Sequence, residues 1–114
     1  MERIVEQTLL YDFYGELLTE HQKRIYEAAV FDDMSYTEIA EDEGISRQGV
    51  FDLVKRCDNI LKGYEDKLHL VEKFVENKSQ AAKISELAKK LETGYDVDAV
   101  AEIISLAESI AADS

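Results

Sequence analysis

Apolar residues return every three or four positions along almost the whole chain, which is the period of an amphipathic helix and not of a strand. Residues 2–17 carry one such face in Val5, Leu9, Leu10, Phe13 and Leu17, with Tyr11 and Tyr14 flanking it. Thr19 and Gln22 form a capping box that starts a second helix, whose buried side is Ile25, Ala28, Ala29 and Val30. After the loop Phe31-Asp32-Asp33-Met34, a second box of Ser35 and Glu38 opens a short third helix, and Met34 closes over Ile39 as a hydrophobic staple. Gly44 ends that helix by supplying a left-handed residue, and Ser46 caps the next, with Ile45 and Val50 as a further staple. Two helices are thus joined by the three-residue turn Gly44 to Ser46. Their inward set is Ile39, Ala40, Ile45, Val50 and Leu53, with Ala40 small where the helices cross. That is the pattern of a helix-turn-helix.

The second helix of the motif runs on. Val50, Val54, Cys57, Leu61, Tyr64, Leu68, Val71 and Val75 alternate spacings of four and three, so the pattern predicts one long helix from Arg47 to about Asn77, with Gly63 as the place for a bend. A further helix is expected over 79–92, with Ser79 as N-cap, Ala81, Ile84, Leu87, Ala88 and Leu91 as its stripe, and Gly94 as its end. Asp96 caps a last helix whose wide apolar face comprises Val97, Val100, Ile103, Ile104, Ala107 and Ile110. This distal seam and this face exceed what a small domain can hide, which points to a homodimer.

Three stretches carry a resemblance to known proteins. Leu18 to Arg24, Tyr36 to Glu41 and Gly44 to Val50 resemble region 4 of bacterial sigma factors, the promoter-reading region. With Val54-Lys55-Arg56-Cys57 and Tyr64 to Leu70 added, residues 1 to 92 are similar to the YlxM-like family of small helix-turn-helix proteins of Gram-positive bacteria. Members are typically encoded beside the signal recognition particle GTPases, so the resemblance implies a role in or regulation of that pathway, with its components as partners. The fold expected is all-α: a sigma-region-4-like helix-turn-helix domain at 1–66 and a C-terminal helical extension at 67–114.

In such a motif the first turns of the second helix meet base edges, which places Ser46, Arg47, Gln48, Phe51, Asp52 and Lys55 at the groove. Arg47 suits guanine and Gln48 adenine, Tyr36 and Thr37 sit where a helix start holds a phosphate, and Lys55 and Arg56 reach the backbone. Composition complicates this assignment. The net charge is −12, and residues 1–20, 21–66 and 67–114 are each acidic, so only Arg47, Lys55 and Arg56 form a local basic cluster. Asp52 lies among them, and Phe51 is more apolar than a groove favours. The same face therefore suits either DNA or a protein partner.

Zero prolines and 114 residues suit one helical domain with a helical arm. No apolar run approaches a membrane span, the N-terminus has no signal-peptide core, and the single cysteine fits a reducing compartment, so the expected location is cytoplasmic. His21 and His69 have neither metal-ligand nor nucleophile–base spacing, and Cys57 lies on the inward seam. Asp32-Asp33 and Asp96-Val97-Asp98 lack the spacing of a calcium loop. Neither enzyme chemistry nor a cofactor is expected.

Overall fold

In the computed structural model, which describes residues 1–112, the chain is all-helical: α1 Arg3–Tyr14, α2 Glu20–Val30, α3 Tyr36–Glu43, α4 Arg47–Leu68, α5 Leu70–Lys90 and α6 Val97–Ala112. A single 3-10 turn, Gly15–Leu17, follows α1. The chain divides into two compact units, Met1–Val71 and Glu72–Ser114.

The first unit is built on α4, against which α1, α2 and α3 all pack. Val50, Val54, Cys57 and Leu61 lie on one side of α4, all buried, with Leu10, Tyr14, Leu18, Ile25, Tyr26, Ile39 and Ala40 closing over them. Ile45, Leu53 and Met34 pack at the edge of this core, half-buried, as the two staples require. Local signals fix the helix starts. Thr19 and Gln22 exchange both bonds of a capping box. Ser35 Oγ accepts from the Glu38 amide at 3.1 Å, while its hydroxyl donates to the Glu38 carboxylate, so the second box closes only halfway. Gly44, at φ 67°, ends α3, and its N–H and that of Ile45 both reach the Ala40 carbonyl.

The inward face of α1 is turned from the expected one. Val5, Phe13 and Leu17 are exposed, whereas Leu10 and Tyr14 are buried. The tyrosines decide this, because each joins a large apolar ring to a hydroxyl that finds a partner inside. Tyr14 is 1% exposed and donates to Glu65 Oε1 at 2.6 Å. Tyr11 stacks on Tyr26 with ring centroids 5.6 Å apart, and Tyr26 donates to Asp58 Oδ1 at 2.6 Å. Gln7 also donates to Asp58, so one carboxylate ties α1 and α2 to α4.

The long helix breaks at His69 and not at Gly63. Gly63 sits inside α4 with open space beside its Cα, and the helix continues through it uninterrupted. His69 takes the left-handed conformation, φ 56°. Beyond it the amide of Leu70 donates to the Tyr14 hydroxyl at 3.2 Å and that of Val71 to Glu65 Oε1 at 2.9 Å. A side-chain pair thus satisfies the first orphan amides of α5, which offsets the cost of a left-handed histidine. Consequently Leu68 is 49% exposed, Val71 is buried in the first unit, and Ser79 lies mid-helix in α5 instead of capping a new one.

Within the second unit Leu87 and Ala99 are buried, Ile84, Leu91, Val100, Ile103 and Ile110 half-buried, and Val75, Val97 and Ile104 exposed. Asp96 Oδ1 accepts from the amides of Asp98 and Ala99, capping α6 as expected. Of the three acids that end α3, Glu43 has a partner on α2, Arg24 Nε at 2.7 Å, which holds its carboxyl below the usual range.

The buried phenols make the fold alkali-sensitive. Burial and the Asp58 carboxylate push Tyr26 far above its ordinary 10.0, burial and Glu27 push Tyr11 up to about 12, and burial and Glu65 raise Tyr14. A raised phenol stabilises the fold fully below the unfolded value, and that contribution is lost as pH rises toward the folded values. Urea midpoints should therefore fall from about pH 10 upward, and Tyr26→Phe should flatten the fall. An equally steep fall in that variant would assign the sensitivity to other groups.

Candidate nucleic-acid interface

The turn Gly44 to Ser46 delivers α4 with its first turn already capped. Ser46 Oγ accepts from the Gly49 amide at 2.9 Å, and a Cβ on Gly49 would lie 3.1 Å from that same oxygen, so the small residue leaves the cap room. From there the exposed side of α4 carries two rows at i, i+4 spacing. One is Arg47, Phe51, Lys55; the other is Gln48, Asp52, Arg56; all six are exposed.

The rows differ in chemistry. In the first, Phe51 is 47% exposed and stands edge-on to the half-buried Tyr36 of α3, centroids 6.3 Å apart at 61°. In the second, Gln48 Nε2 donates to Asp52 Oδ1 at 3.0 Å, which orients both side chains along the helix. Thr37, beside Tyr36, is exposed at the start of α3. The structure brings Tyr36 against Phe51 and keeps Arg56 in the outer row with Asp52.

Lys23 is engaged by Glu16 and Glu20, Arg24 by Glu43, and Arg3 approaches Asp58 at 3.6 Å. Among the described residues none forms an ion pair with Arg47, Lys55, Arg56 or Lys62. In a chain of net charge −12, these four cations of α4, like Lys67 near its end, have no ion pair within the chain among the described residues.

Two basic residues near this surface were not expected from the sequence. Arg3 and Lys62 join Tyr36, Phe51, Val54, Lys55, Asp58 and Asn59 in lining a groove of about 320 Å³ beside the first row. Lys62, seven residues after Lys55, was legible as a position on the same helical face. Arg3 was not, because only the packing of α1 across α4 brings it there. Cys57 lies beneath the face; burial and the neighbouring Asp58 push its thiol up to about 11, which makes it a neutral core residue.

An all-α chain with this turn, these caps and a second helix whose outer rows are exposed is a helix-turn-helix protein. Residues 1–100 match the family described as "Putative helix-turn-helix protein, YlxM / p13 like", and the chain belongs to that family. It is 39% identical over 104 residues to a UPF0122 protein of Bacillus velezensis, covering 91% of this chain and 94% of that one. The UPF0122 protein YlxM of Bacillus subtilis is 38% identical over the same length and the same shares. A UPF0122 protein of Caldanaerobacter subterraneus is 51% identical over 79 residues, 69% of this chain and 68% of its own. No helix among the described residues is long and apolar enough to cross a membrane.

The Ser46 cap sets both the stability and the aim of α4. Ser46→Ala should destabilise the protein by about 1 kcal/mol in chemical denaturation, and Ser46→Asp, which keeps an acceptor, should recover most of that. Equal losses in the two variants would show that the hydroxyl is not what holds the turn.

Proposed function

We propose that this chain is a cytoplasmic DNA-binding regulatory protein that lays the first turns of α4 in the major groove. Its place in or around the signal recognition particle pathway is the one its family resemblance implies. The observation that carries the reading is the set of unpaired cations Arg47, Lys55 and Arg56 on the exposed side of a capped helix in an otherwise acidic chain. Arg47 and Gln48, nearest the helix start, read base edges; Ser46, Tyr36 and Thr37 approach the backbone at two helix N-termini; Lys55 and Arg56 meet phosphates; and Phe51 packs against a thymine methyl. Gln48 must exchange Asp52 for a base when it does so, and Asp52 opposes the phosphates.

The charge count makes the binding weak and shallow in its salt dependence, since each phosphate contact contributes about 0.9 to the slope of log K against log salt. Arg47→Ala or Gln48→Ala should erase the preference for one duplex over another, each at a cost of roughly 1–3 kcal/mol on the preferred site. Lys55→Ala should weaken all duplexes alike and lower the slope by about 0.9. Asp52→Asn should strengthen binding to any duplex. If duplex fragments are not retained at low salt even by Asp52→Asn, the DNA reading fails, and the same face, with Phe51 at its centre, becomes a docking surface for a protein or ribonucleoprotein.

A second copy of the chain belongs to this reading, because it would double the few phosphate contacts one subunit offers. Its support is the second unit, where Val75, Val97 and Ile104 are exposed on helices that bury little between them. Sedimentation of the full chain at micromolar concentration should give the mass of a dimer, and Val97→Asp with Ile104→Asp should give that of a monomer. A monomeric mass for the unsubstituted chain would overturn the dimer.

A further inference from the structure

We propose that the groove beside the first row of α4 holds one unpaired nucleotide of a nucleic-acid strand, its phosphate against Arg3, Lys55 and Lys62 and its base against Tyr36 and Phe51. The inference rests on the proposed nucleic-acid function and deepens it: Tyr36, Phe51 and Lys55 serve both readings, whereas Arg3, Asn59 and Lys62 are used by this one alone. Its size is the first argument, since about 320 Å³ lies at the small end of ligand clefts, enough for a nucleotide unit but not for a double helix.

The lining is the second argument. Three cations from two helices converge on one groove, and neither lysine has an ion-pair partner among the described residues. Opposite charge is present only in Asp58, and that carboxylate is already spoken for: it accepts from Tyr26 Oη at 2.6 Å and from Gln7 Nε2 at 3.1 Å, and Arg3 Nη2 lies 3.6 Å from it. Its side chain is 13% exposed, whereas that of Arg3 is 81% exposed. The groove therefore presents net positive charge to an anion.

The third argument is the pair of rings. Tyr36 and Phe51 meet at 61° and both line the groove, and Phe51 is half-exposed. Stacking of a base on such a ring requires the base to be out of its own stack, which a strand supplies and an intact duplex does not. Asn59, also on the lining, offers an amide for the base edge or the sugar. Cation, ring and amide within one groove match the composition of single-strand sites, and both DNA and RNA present this chemistry.

The test uses the full chain with fluorescein-labelled ten-nucleotide dT and U strands and a duplex, measured by anisotropy at several salt concentrations. The chain should bind at least one of the two strands, dT alone or U alone identifying its source. Lys62→Ala should lower the single-strand salt slope by about 0.7, the share of one phosphate contact, and Arg3→Gln should do the same. Phe51→Leu, which keeps the bulk and removes the ring, should weaken the strand about fivefold or more at all salt concentrations. Thermal melting of each variant checks that the fold persists, and backbone amide shifts at Asn59 and Lys62 on adding unlabelled strand report the site in the unsubstituted chain. Failure of both strands to bind, or strand affinity and salt slope in the Lys62→Ala and Arg3→Gln variants equal to those of the unsubstituted chain, would overturn the groove. Duplex preference that survives Lys62→Ala leaves the α4 reading standing by itself, and strand binding without duplex retention leaves the groove standing without it.

Discussion

Everything in the first unit depends on α4 being wetted along one side and dry along the other. Val50, Val54, Cys57 and Leu61 receive the packing of three helices, and less than half a turn away the rows of Arg47 and Gln48 face water. Core and candidate interface are therefore two sides of one rigid rod. Side chains on the outer rows inherit their positions from the buried stripe and need no loop to hold them. The polar ties run to the same rod: Asp58 gathers Gln7 and Tyr26, and Glu65 gathers Tyr14 and the start of α5. The ties from Gln7, Tyr14 and Tyr26 join α1 and α2 to α4, and that from Val71 joins the start of α5 to it, so the bundle is bound by carboxylate hydrogen bonds as well as by apolar burial.

Those ties mark the border between what the chain's letters disclose and what they do not. Caps, staples and the left-handed Gly44 are local devices, legible within four or five residues, and the helix-turn-helix was readable from them. The face of α1 was not, because a hydrophobicity pattern ranks Val5 and Phe13 above tyrosine, and only the distant Glu65 makes Tyr14 the better residue to bury. The break at His69 was hidden for the same reason: Glu65 and Tyr14, four and fifty-five positions back, cap α5 in place of a local serine. Gly63 was the natural suspect by propensity, yet a glycine in a helix held on one side by Cys57 and Leu61 has no cause to bend. On the candidate interface, Arg47, Gln48 and Lys55 followed from position in the motif, whereas Arg3 entered through tertiary packing.

The charge distribution is what would let an acidic chain take the nucleic-acid-binding role proposed for it. Pairing consumes Lys23 and Arg24 within the first unit, and it leaves the cations of α4 unspent. A net charge of −12 then keeps the remainder of the surface away from phosphates and confines attraction to one orientation. Such an arrangement trades affinity for selectivity of approach.

Because one helix carries both sides, its spacing is the most rigid dimension of the molecule. An extra residue anywhere between Arg47 and Leu61 would swing every later side chain by about 100° around the axis, taking either the buried stripe or the outer rows out of line. The loop from Phe31 to Ser35 has no such obligation and can lengthen without turning anything. Variation in chain length among proteins built on this plan is thus channelled away from α4 and into the connections before and after it.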